Sequence, residues 1–275
     1  MGIYDKDLIT GKTKYDTAVE RIRCYCRGRK TLVAFSGGKD SQVCYHLCKD
    51  AGIEFSAQYS ITRFEPPELM GFIRTNYPDV TFRRAYKMSL YEQIARYGLP
   101  NRFFRWCCDA KHAKTEGFDI AVIGVRAEES YRRAKNWRMF GQKKDRTYYI
   151  CPIIDWTEVE VWEYLNSNNI PHCRMYDEGY NRIGCVLCPL SMKNHDKDVV
   201  RYPKIVELLK KAFFEHYNRR SKNGFVNTRG KLIRYLKETP KEELFSNWVR
   251  GGDARPYRYK ERRRRSAMLV RRDWI

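Results

Sequence analysis

Six consecutive residues, Ser36–Ser41, have side chains and a backbone suited to holding phosphate groups. They follow the short apolar run TLVAF, which predicts a buried strand, and they precede a segment with the apolar spacing of a helix. Two glycines at this turn let successive backbone N–H groups point inward, and the helix dipole adds positive potential. The alternative is an ordinary strand-to-helix turn, in which glycine and serine are common.

Each side chain of this segment has an expected role. Ser36 and Ser41 can donate hydroxyl hydrogen bonds, Lys39 adds a full positive charge, and Asp40 is suited to hold Mg²⁺ against phosphates. The segment is not a Walker A loop, because Val33 stands where that pattern requires its first glycine. The sequence therefore predicts a phosphate site formed by Ser36, Gly37, Gly38, Lys39, Asp40 and Ser41.

Four of the ten cysteines are grouped in a way that predicts metal ligation. Cys107 and Cys108 are adjacent, and Cys185 and Cys188 form a C-x-x-C pair. Two thiolate pairs supply the four ligands that both a structural Zn²⁺ and a [4Fe–4S] cluster require. The adjacent pair favours the cluster, since zinc sites usually separate their ligands by two or more residues. Zn²⁺, or no metal at all, stays open as an alternative.

The formal net charge of +21 favours a polyanionic partner such as nucleic acid. Arg255–Ile275 has nine arginines and lysines against two acidic residues, and its Tyr257, Tyr259 and Trp274 are suited to stack on bases. The alternative is a basic surface with nonspecific affinity. No apolar run approaches the roughly 20 residues that span a bilayer, and the first residues are too polar for a signal peptide. We therefore expect a cytoplasmic protein without membrane contact.

Apolar, β-rich runs alternate with helix-like segments up to about residue 150. The strand candidates are TLVAF, IEFSAQYS, DVTFRRA and DIAVIGVRA. This alternation predicts an α/β fold, with a mostly parallel twisted sheet and helices on both faces. Later segments are helical, and DWTEVEVWEYLNSNNIP is predicted to be a helix with Val159, Trp162 and Leu165 on its apolar face. We expect one domain over residues 1–190 and a helical, basic C-terminal extension over residues 191–275.

SGGKDS resembles the signature of the PP-loop ATP pyrophosphatases, in which this loop holds the pyrophosphate that leaves ATP. Three later stretches are similar to consecutive blocks of the phosphoadenosine phosphosulfate (PAPS) reductase branch: GVRAEESYRR (Gly124–Arg133), CPIIDWTEVEVWEYL and YDEGYNRIGCVLCP. The matches run in the right order from Thr31 to Pro189. The resemblance implies an adenine nucleotide alpha hydrolase-like fold, cleavage of ATP between its α and β phosphates, and adenylation of a substrate oxygen.

The resemblance also implies roles for individual residues. Arg126 and Arg133 would face the nucleotide or the anion it carries, and Lys39, Asp40 and Arg126 would be the catalytic residues. A guanidinium at the carboxyl end of a parallel strand lies where such sheets bind ligands, and it can hold a phosphate through two hydrogen bonds. The C-C…C-x-x-C arrangement looks like that of the iron–sulfur adenylyl-sulfate (APS) reductases.

The sulfonucleotide reductases carry a catalytic cysteine in an E-C-G-[IL]-H motif near the C-terminus, whereas this sequence has no cysteine after Cys188. The intact SGGKDS segment also favours true ATP cleavage. Some tRNA thiolases and the ATP pyrophosphatase component of DNA phosphorothioation systems combine such a loop with a cluster. We therefore expect an ATP pyrophosphatase with a [4Fe–4S] cluster, acting in sulfur transfer or modification of DNA or tRNA with a donor such as a cysteine desulfurase. Two rivals stay open: a sulfonucleotide reductase with an external thiol, and a catalytically silent nucleic-acid-binding subunit.

Overall fold

The predicted strands pair into one six-stranded sheet, which two further short strands complete. The computed structural model describes residues 2–111, 115–143, 146–222 and 240–252. The strands are β1 (Thr31–Ala34), β2 (Phe55–Ile61), β3 (Thr81–Arg84), β4 (Ile120–Val122), β5 (Phe140–Gln142) and β6 (Tyr148–Ile150). They lie in the order β3-β2-β1-β4-β6-β5, and every neighbouring pair is parallel except β5–β6. The expected mostly parallel α/β fold is confirmed.

Some of the helices begin at capping residues that the sequence supplies. The described helices are α1 (Lys14–Cys26), α2 (Lys39–Asp50), α3 (Pro67–Asn76), α4 (Leu90–Tyr97), α5 (Trp106–Lys111), α6 (Tyr131–Asn136), α7 (Glu158–Ser167), α8 (His195–Arg201), α9 (Pro203–Lys222) and α10 (Lys241–Val249). Thr13 and Thr157 form capping boxes at α1 and α7, each with an acidic residue three positions later. These caps satisfy backbone donors that would otherwise lack partners in the first helical turn.

The described residues belong to two compact units. The first lies within Met1–Ile61, Glu65–Arg84 and His112–Gly184, and it contains the whole sheet; we call it the sheet unit. The second lies within Thr62–Phe64, Ala85–Lys111 and Cys185–Ile275; we call it the helical unit. The helical unit therefore includes a central segment of the chain as well as residues after Cys185. The expected division at residue 190 stays a prediction about domains.

Each unit has its own hydrophobic core. In the sheet unit, α2 buries Val43, Cys44, Leu47 and Cys48 completely, as the helical spacing predicts. In the helical unit, Trp106 and Trp248 are almost fully buried. Each of these tryptophans donates its indole N–H to a backbone carbonyl, Trp106 to Gly98 at 3.2 Å and Trp248 to Pro100 at 2.7 Å. Large aromatic side chains thus fill the helical core without an unpaired indole nitrogen.

One predicted helix face is wrong in detail. Val159 is 75% exposed, whereas Val161, Tyr164 and Leu165 form the buried side of α7. The buried residues are three and four positions apart, which is the spacing of one helix face, and Val159 lies away from it. Within the described residues, no helix is both long and apolar enough to cross a membrane. The basic segment Arg255–Ile275 lies outside the described residues.

Candidate active site

The Ser36–Ser41 loop lies at the carboxyl end of β1, directly before α2. Since β1 is paired with β2 on one side and β4 on the other, the loop lies where the strand order reverses, which is the usual ligand position in open parallel sheets. Gly38 caps α2 with extended backbone, and Gly37 has a φ of 71°, in the left-handed region that glycine tolerates best. The loop therefore presents the amino terminus of α2 as predicted.

The two loop serines hydrogen-bond within the loop. The Ser36 hydroxyl donates to Ser41 Oγ at 3.0 Å, and the Ser41 hydroxyl donates to the Gly38 carbonyl at 2.8 Å. Ser41 Oγ also accepts the Ser36 backbone N–H at 3.1 Å. These hydrogen bonds thus fix the shape of the turn, and donation by Ser36 and Ser41 to a phosphate stays a prediction.

Lys39 is almost fully buried, and its ammonium group has partners from the second half of the sheet unit. Nζ lies 3.1 Å from Glu158 Oε1 and donates to the Asn181 carbonyl at 3.3 Å. The Lys39 backbone N–H donates to the Tyr176 hydroxyl at 3.0 Å. Burial raises the pKa of Tyr176, so this hydroxyl stays neutral beside the loop. The loop lysine is therefore held in place by residues about 120 to 140 positions later in the chain.

Asp40 and Arg126 form a close ion pair at the loop. Arg126 Nε lies 2.5 Å from Asp40 Oδ1, and Arg126 Nη1 lies 2.6 Å from Glu128 Oε2. Burial lowers the pKa of Arg126, but the carboxylates of Asp40 and Glu128 outweigh it and raise the pKa overall. The structure thus brings Lys39, Asp40 and Arg126 together, as the sequence predicts for the three candidate catalytic residues.

Arg133 belongs to the same neighbourhood. Its guanidinium pairs with Glu129, and its pKa is lowered, chiefly by burial. The charges of Asp40 and Arg126 also act on it, which indicates that the three side chains share one electrostatic environment. Glu129 additionally accepts the Arg126 backbone N–H at 3.3 Å, so one carboxylate links both predicted arginines.

Gly124, just after β4, lies against the backbone of the loop. A Cβ at this position would lie 2.7 Å from the Asp40 carbonyl oxygen and 3.1 Å from the Ser41 nitrogen. Both contacts are with backbone atoms, so a side chain could be admitted only by moving the first turn of α2. Gly124 therefore sets how closely β4 approaches the Ser36–Ser41 loop, a role that sequence reasoning missed.

We expect Gly124→Ala to lower the free energy of unfolding by about 1–3 kcal/mol, the usual cost of overpacking. Gly71→Ala is the matched control, because a Cβ on this α3 residue meets nothing within 4 Å. Alanine is the better helix former, so the control should gain up to about 1 kcal/mol. Chemical denaturation followed by circular dichroism measures both changes, and equal stabilities for the two variants would contradict the close approach.

The four predicted metal-binding cysteines all lie in the helical unit. Cys107 is buried, and Cys108 and Cys185 pack against the same core. The pKa of the Cys107 thiol is raised, first by its hydrogen bond with Cys108, then by burial and by the charges of Cys108, Cys185 and Cys188. The four sulfurs are therefore electrostatic neighbours, although the two pairs are more than 70 positions apart in the sequence.

The C-x-x-C segment is held by its backbone. The Val186 N–H donates to the Phe64 carbonyl at 2.7 Å, and the Leu187 N–H donates to Asp198 Oδ2 at 2.8 Å. Leu187 has a φ of 52°, a left-handed conformation that is uncommon for leucine. His195 contacts the Cys188 carbonyl through Nε2 at 3.0 Å and the Val249 carbonyl through Nδ1 at 2.8 Å. Surrounding hydrogen bonds therefore impose the turn that presents the two cysteines.

The spacing of the thiols bears on which group they fit. In a tetrahedral zinc site the sulfurs lie about 3.8 Å apart, since each Zn–S bond is about 2.3 Å. Among the described residues, no three His, Cys, Asp or Glu side chains are close enough to hold one metal ion. Each thiolate of a [4Fe–4S] cluster binds a different iron, so the cluster keeps its thiolates farther apart. A [4Fe–4S] cluster and Zn²⁺ therefore both stay predictions for these four cysteines.

Several partners of the site were not identified from the sequence alone. Glu158 and Tyr176 contact Lys39, while Asp198 and His195 support the C-x-x-C turn. The sequence predicts Glu158 only as a member of a helical stretch. In the structure it directly follows the cap residue Thr157 and lies in the first turn of α7. Such long-range partners carry no local pattern, so only the fold reveals them.

The sequence matches known proteins over this region. Residues 30–191 match the family described as the phosphoadenosine phosphosulfate reductase domain. An uncharacterized protein of Methanocaldococcus jannaschii is 31% identical over 202 residues, covering 65% of this chain and 40% of that protein. The adenosine 5'-phosphosulfate reductase of Shouchella clausii is 30% identical over 174 residues, covering 58% of this chain and 71% of the reductase.

One solved structure also matches part of the chain. The phosphoadenylyl-sulfate reductase of Candida auris, in its phosphate complex, has a TM-score of 0.48 and 16% identity, covering 62% of this chain and 88% of its own. The chain spans less than half the length of the Methanocaldococcus jannaschii protein, so the activity of the whole protein is not carried over from it. With residues 30–191 matched, the chain belongs to the phosphoadenosine phosphosulfate reductase domain family, as its motifs indicate.

Proposed function

We propose that this chain is an ATP pyrophosphatase that adenylates an oxygen of a nucleic acid and takes part in its replacement by sulfur. One observation carries the proposal: an unbroken SGGKDS loop, with Lys39, Asp40 and Arg126 gathered around it at the end of β1. In the first step the acceptor oxygen attacks the α-phosphorus, the bond to the β-phosphate oxygen breaks, and pyrophosphate leaves with the bonding electrons. A sulfur nucleophile then displaces AMP.

The loop residues have distinct roles in that step. Backbone N–H groups at the amino terminus of α2 and the Lys39 ammonium stabilise the departing pyrophosphate. Asp40 would hold Mg²⁺ against the β and γ phosphates, and Arg126 would neutralise charge that develops on the α-phosphate. Since Asp40 and Arg126 are paired at 2.5 Å, nucleotide binding would exchange this ion pair for contacts with Mg²⁺ and phosphate.

Cys107, Cys108, Cys185 and Cys188 would hold a [4Fe–4S] cluster, and this assignment is supported by their shared electrostatic environment. When bound, such a cluster would relay sulfur from a donor protein such as a cysteine desulfurase. The protein supplies the thiolates and the backbone contacts that fix the Cys185–Cys188 turn. Zn²⁺ is the alternative to the cluster, and iron and zinc analysis of the purified protein distinguishes the two.

An exposed aromatic side chain lies just before the first cysteine pair. Asn101 Oδ1 accepts the backbone N–H groups of Phe103 and Phe104, both at 2.8 Å, so this turn is well fixed. Phe104 packs on the helical core, whereas Phe103 is 72% exposed. Arg102 Nε donates to the Pro189 carbonyl at 3.3 Å, which joins the turn to the segment after Cys188. Neither Leu99–Trp106 nor Cys185–Asn194 contains an acidic residue, so this surface suits a nucleotide with its phosphate.

We expect Phe103→Ala to weaken binding of a single-stranded oligonucleotide by about fivefold or more, since stacking on an aromatic ring is worth about 1–3 kcal/mol per base. Fluorescence anisotropy at one fixed salt concentration measures the change for DNA and RNA oligonucleotides. The matched control is Tyr4→Ala, which removes a 42% exposed aromatic side chain from the sheet unit and lies outside the Gly124–Arg133 stretch. Equal affinities for both variants and the wild type would remove this support for a nucleic-acid substrate.

The proposed function is tested by incubating anaerobically purified protein with Mg-ATP, a sulfur donor and either tRNA or DNA. The expected products are AMP, pyrophosphate and sulfur-containing nucleotides after nuclease digestion. The names of several relatives favour a second function, reduction of adenosine 5'-phosphosulfate. Release of sulfite and AMP from that substrate with a thiol reductant, without pyrophosphate release from ATP, would establish the second function instead. If the protein binds oligonucleotides but turns over neither ATP nor adenosine 5'-phosphosulfate, the result would favour the third hypothesis, a catalytically silent nucleic-acid-binding subunit.

A further inference from the structure

The ammonium group of the loop lysine is paired with a carboxylate from the first turn of α7. Glu158 Oε1 lies 3.1 Å from Lys39 Nζ, closer than the Asp40 carboxylate at 3.9 Å. The Lys39 side chain is 6% exposed, whereas that of Glu158 is 51% exposed. A buried cation is thus paired with a half-exposed anion. Moving the Glu158 carboxylate into solvent restores its hydration, so the anion itself pays no desolvation cost when it leaves.

The position of Glu158 is linked to the other cation of the site. The Glu158 backbone N–H donates to Glu128 Oε2 at 2.6 Å, and the same oxygen lies 2.6 Å from Arg126 Nη1. Arg126 in turn pairs with Asp40, and Asp40 faces Lys39. The five residues therefore form a closed ring of contacts, in which Glu158 is the member from the first turn of α7.

We propose that Glu158 is a built-in stand-in for a phosphate group, which an incoming polyphosphate must displace from Lys39. A carboxylate and a phosphate both offer oxygen acceptors to an ammonium group at about 3 Å, so the two compete for one position. A ligand with two or more phosphates also gains the backbone N–H groups of the loop, whereas a simple monoanion does not. Glu158 therefore sets the affinity of the loop and favours pyrophosphate-containing ligands over small anions.

This inference rests on the proposed function, because it assumes that Lys39 contacts the pyrophosphate part of ATP. Glu158→Gln removes the competing charge and keeps the side-chain size. We expect calorimetry with inorganic pyrophosphate and Mg²⁺ to give roughly two- to fivefold tighter binding, the range that a half-exposed ion pair supports. Glu163→Gln is the matched control, because this residue lies on the same helix and accepts the Ile3 backbone N–H instead of contacting Lys39.

A double variant separates competition from a general effect of charge. If Glu158 acts through Lys39, the Glu158→Gln gain should disappear when Lys39→Met is also present. Unchanged or weaker pyrophosphate binding in Glu158→Gln, with Lys39→Met still impairing binding, would overturn the inference and leave the proposed function intact. A gain that persists in the double variant would overturn it as well.

A second measurement examines the ion pair without any ligand. Acylation of Lys39 by an activated ester, followed by peptide mass spectrometry, should be faster in Glu158→Gln than in the wild type and unchanged in Glu163→Gln. Equal Lys39 acylation rates in all three proteins would show that Glu158 does not pair with Lys39, and this result would overturn the inference. Faster acylation in Glu158→Gln, combined with no pyrophosphate binding by any variant, would instead overturn the proposed ATP site.

Discussion

Asp40→Asn is expected to reduce release of pyrophosphate from ATP by roughly 100-fold or more, the scale on which removal of one preorganised electrostatic partner acts. Asparagine keeps the size of the side chain but removes the negative charge, so the variant loses the proposed Mg²⁺ ligand. It also leaves Arg126 without its partner at 2.5 Å, and the guanidinium then relies on Glu128. A coupled assay for pyrophosphate, run across Mg²⁺ concentrations, measures the loss.

The control for Asp40→Asn is Asp155→Asn, which breaks another aspartate–arginine pair in the sheet unit. Asp155 Oδ1 lies 2.7 Å from Arg21 Nη1, and this pair includes none of the loop residues, so ATP cleavage should be unchanged. Thermal unfolding checks that both variants are folded. The visible spectrum should also be unaffected by Asp40→Asn, since Asp40 is not one of the four predicted thiolate ligands. Wild-type turnover in a folded Asp40→Asn variant would contradict the assignment of the loop.

Cys185→Ser is expected to remove most of the iron from the protein. The wild type purified without oxygen should contain about four iron and four sulfide ions per chain and absorb broadly near 400 nm. Serine replaces a thiolate with a weakly acidic hydroxyl, so the variant should retain less than about half of the iron. Elemental analysis together with the absorption spectrum measures the change.

Cys24→Ser is the control for Cys185→Ser, because it removes an exposed thiol that belongs to no pair of predicted ligands. It should keep the full iron content. A wild-type protein with one zinc and no iron would overturn the cluster in favour of the zinc alternative. Iron content equal in all three proteins would remove Cys185 from the ligand set.

The sheet and the loop could be predicted because their signals are local. A strand such as Thr31–Ala34 is a continuous apolar run, and Gly37 and Gly38 mark the turn into a helix whose apolar positions repeat at helical spacing. The family motifs then identified Arg126 as a partner of the loop. The observed pairing of Arg126 with Asp40 agrees with that proximity, while the nucleotide contact itself stays a prediction.

Other features depend on tertiary packing and carry no such signal. The strands Phe140–Gln142 and Tyr148–Ile150 are only three residues each, too short for alternation to be recognised. The exposure of Val159 depends on which side of α7 packs against the core, and the apolar character of valine alone does not predict that side. Glu158 and Asp198 act on loops far away in sequence, so a single sequence gives no reason to choose them over other acidic residues.

The order of the two units along the chain has a consequence for biosynthesis. Every residue of the sheet unit precedes Cys185, because that unit ends at Gly184. A ribosome therefore delivers the complete sheet, including the loop and both predicted arginines, before it delivers the second pair of cysteines. Domains generally fold as units during synthesis, so the sheet unit can begin to fold while only Cys107 and Cys108 of the quartet have emerged from the ribosome. Any metal that needs all four thiols can therefore be bound only after every residue of the sheet has emerged.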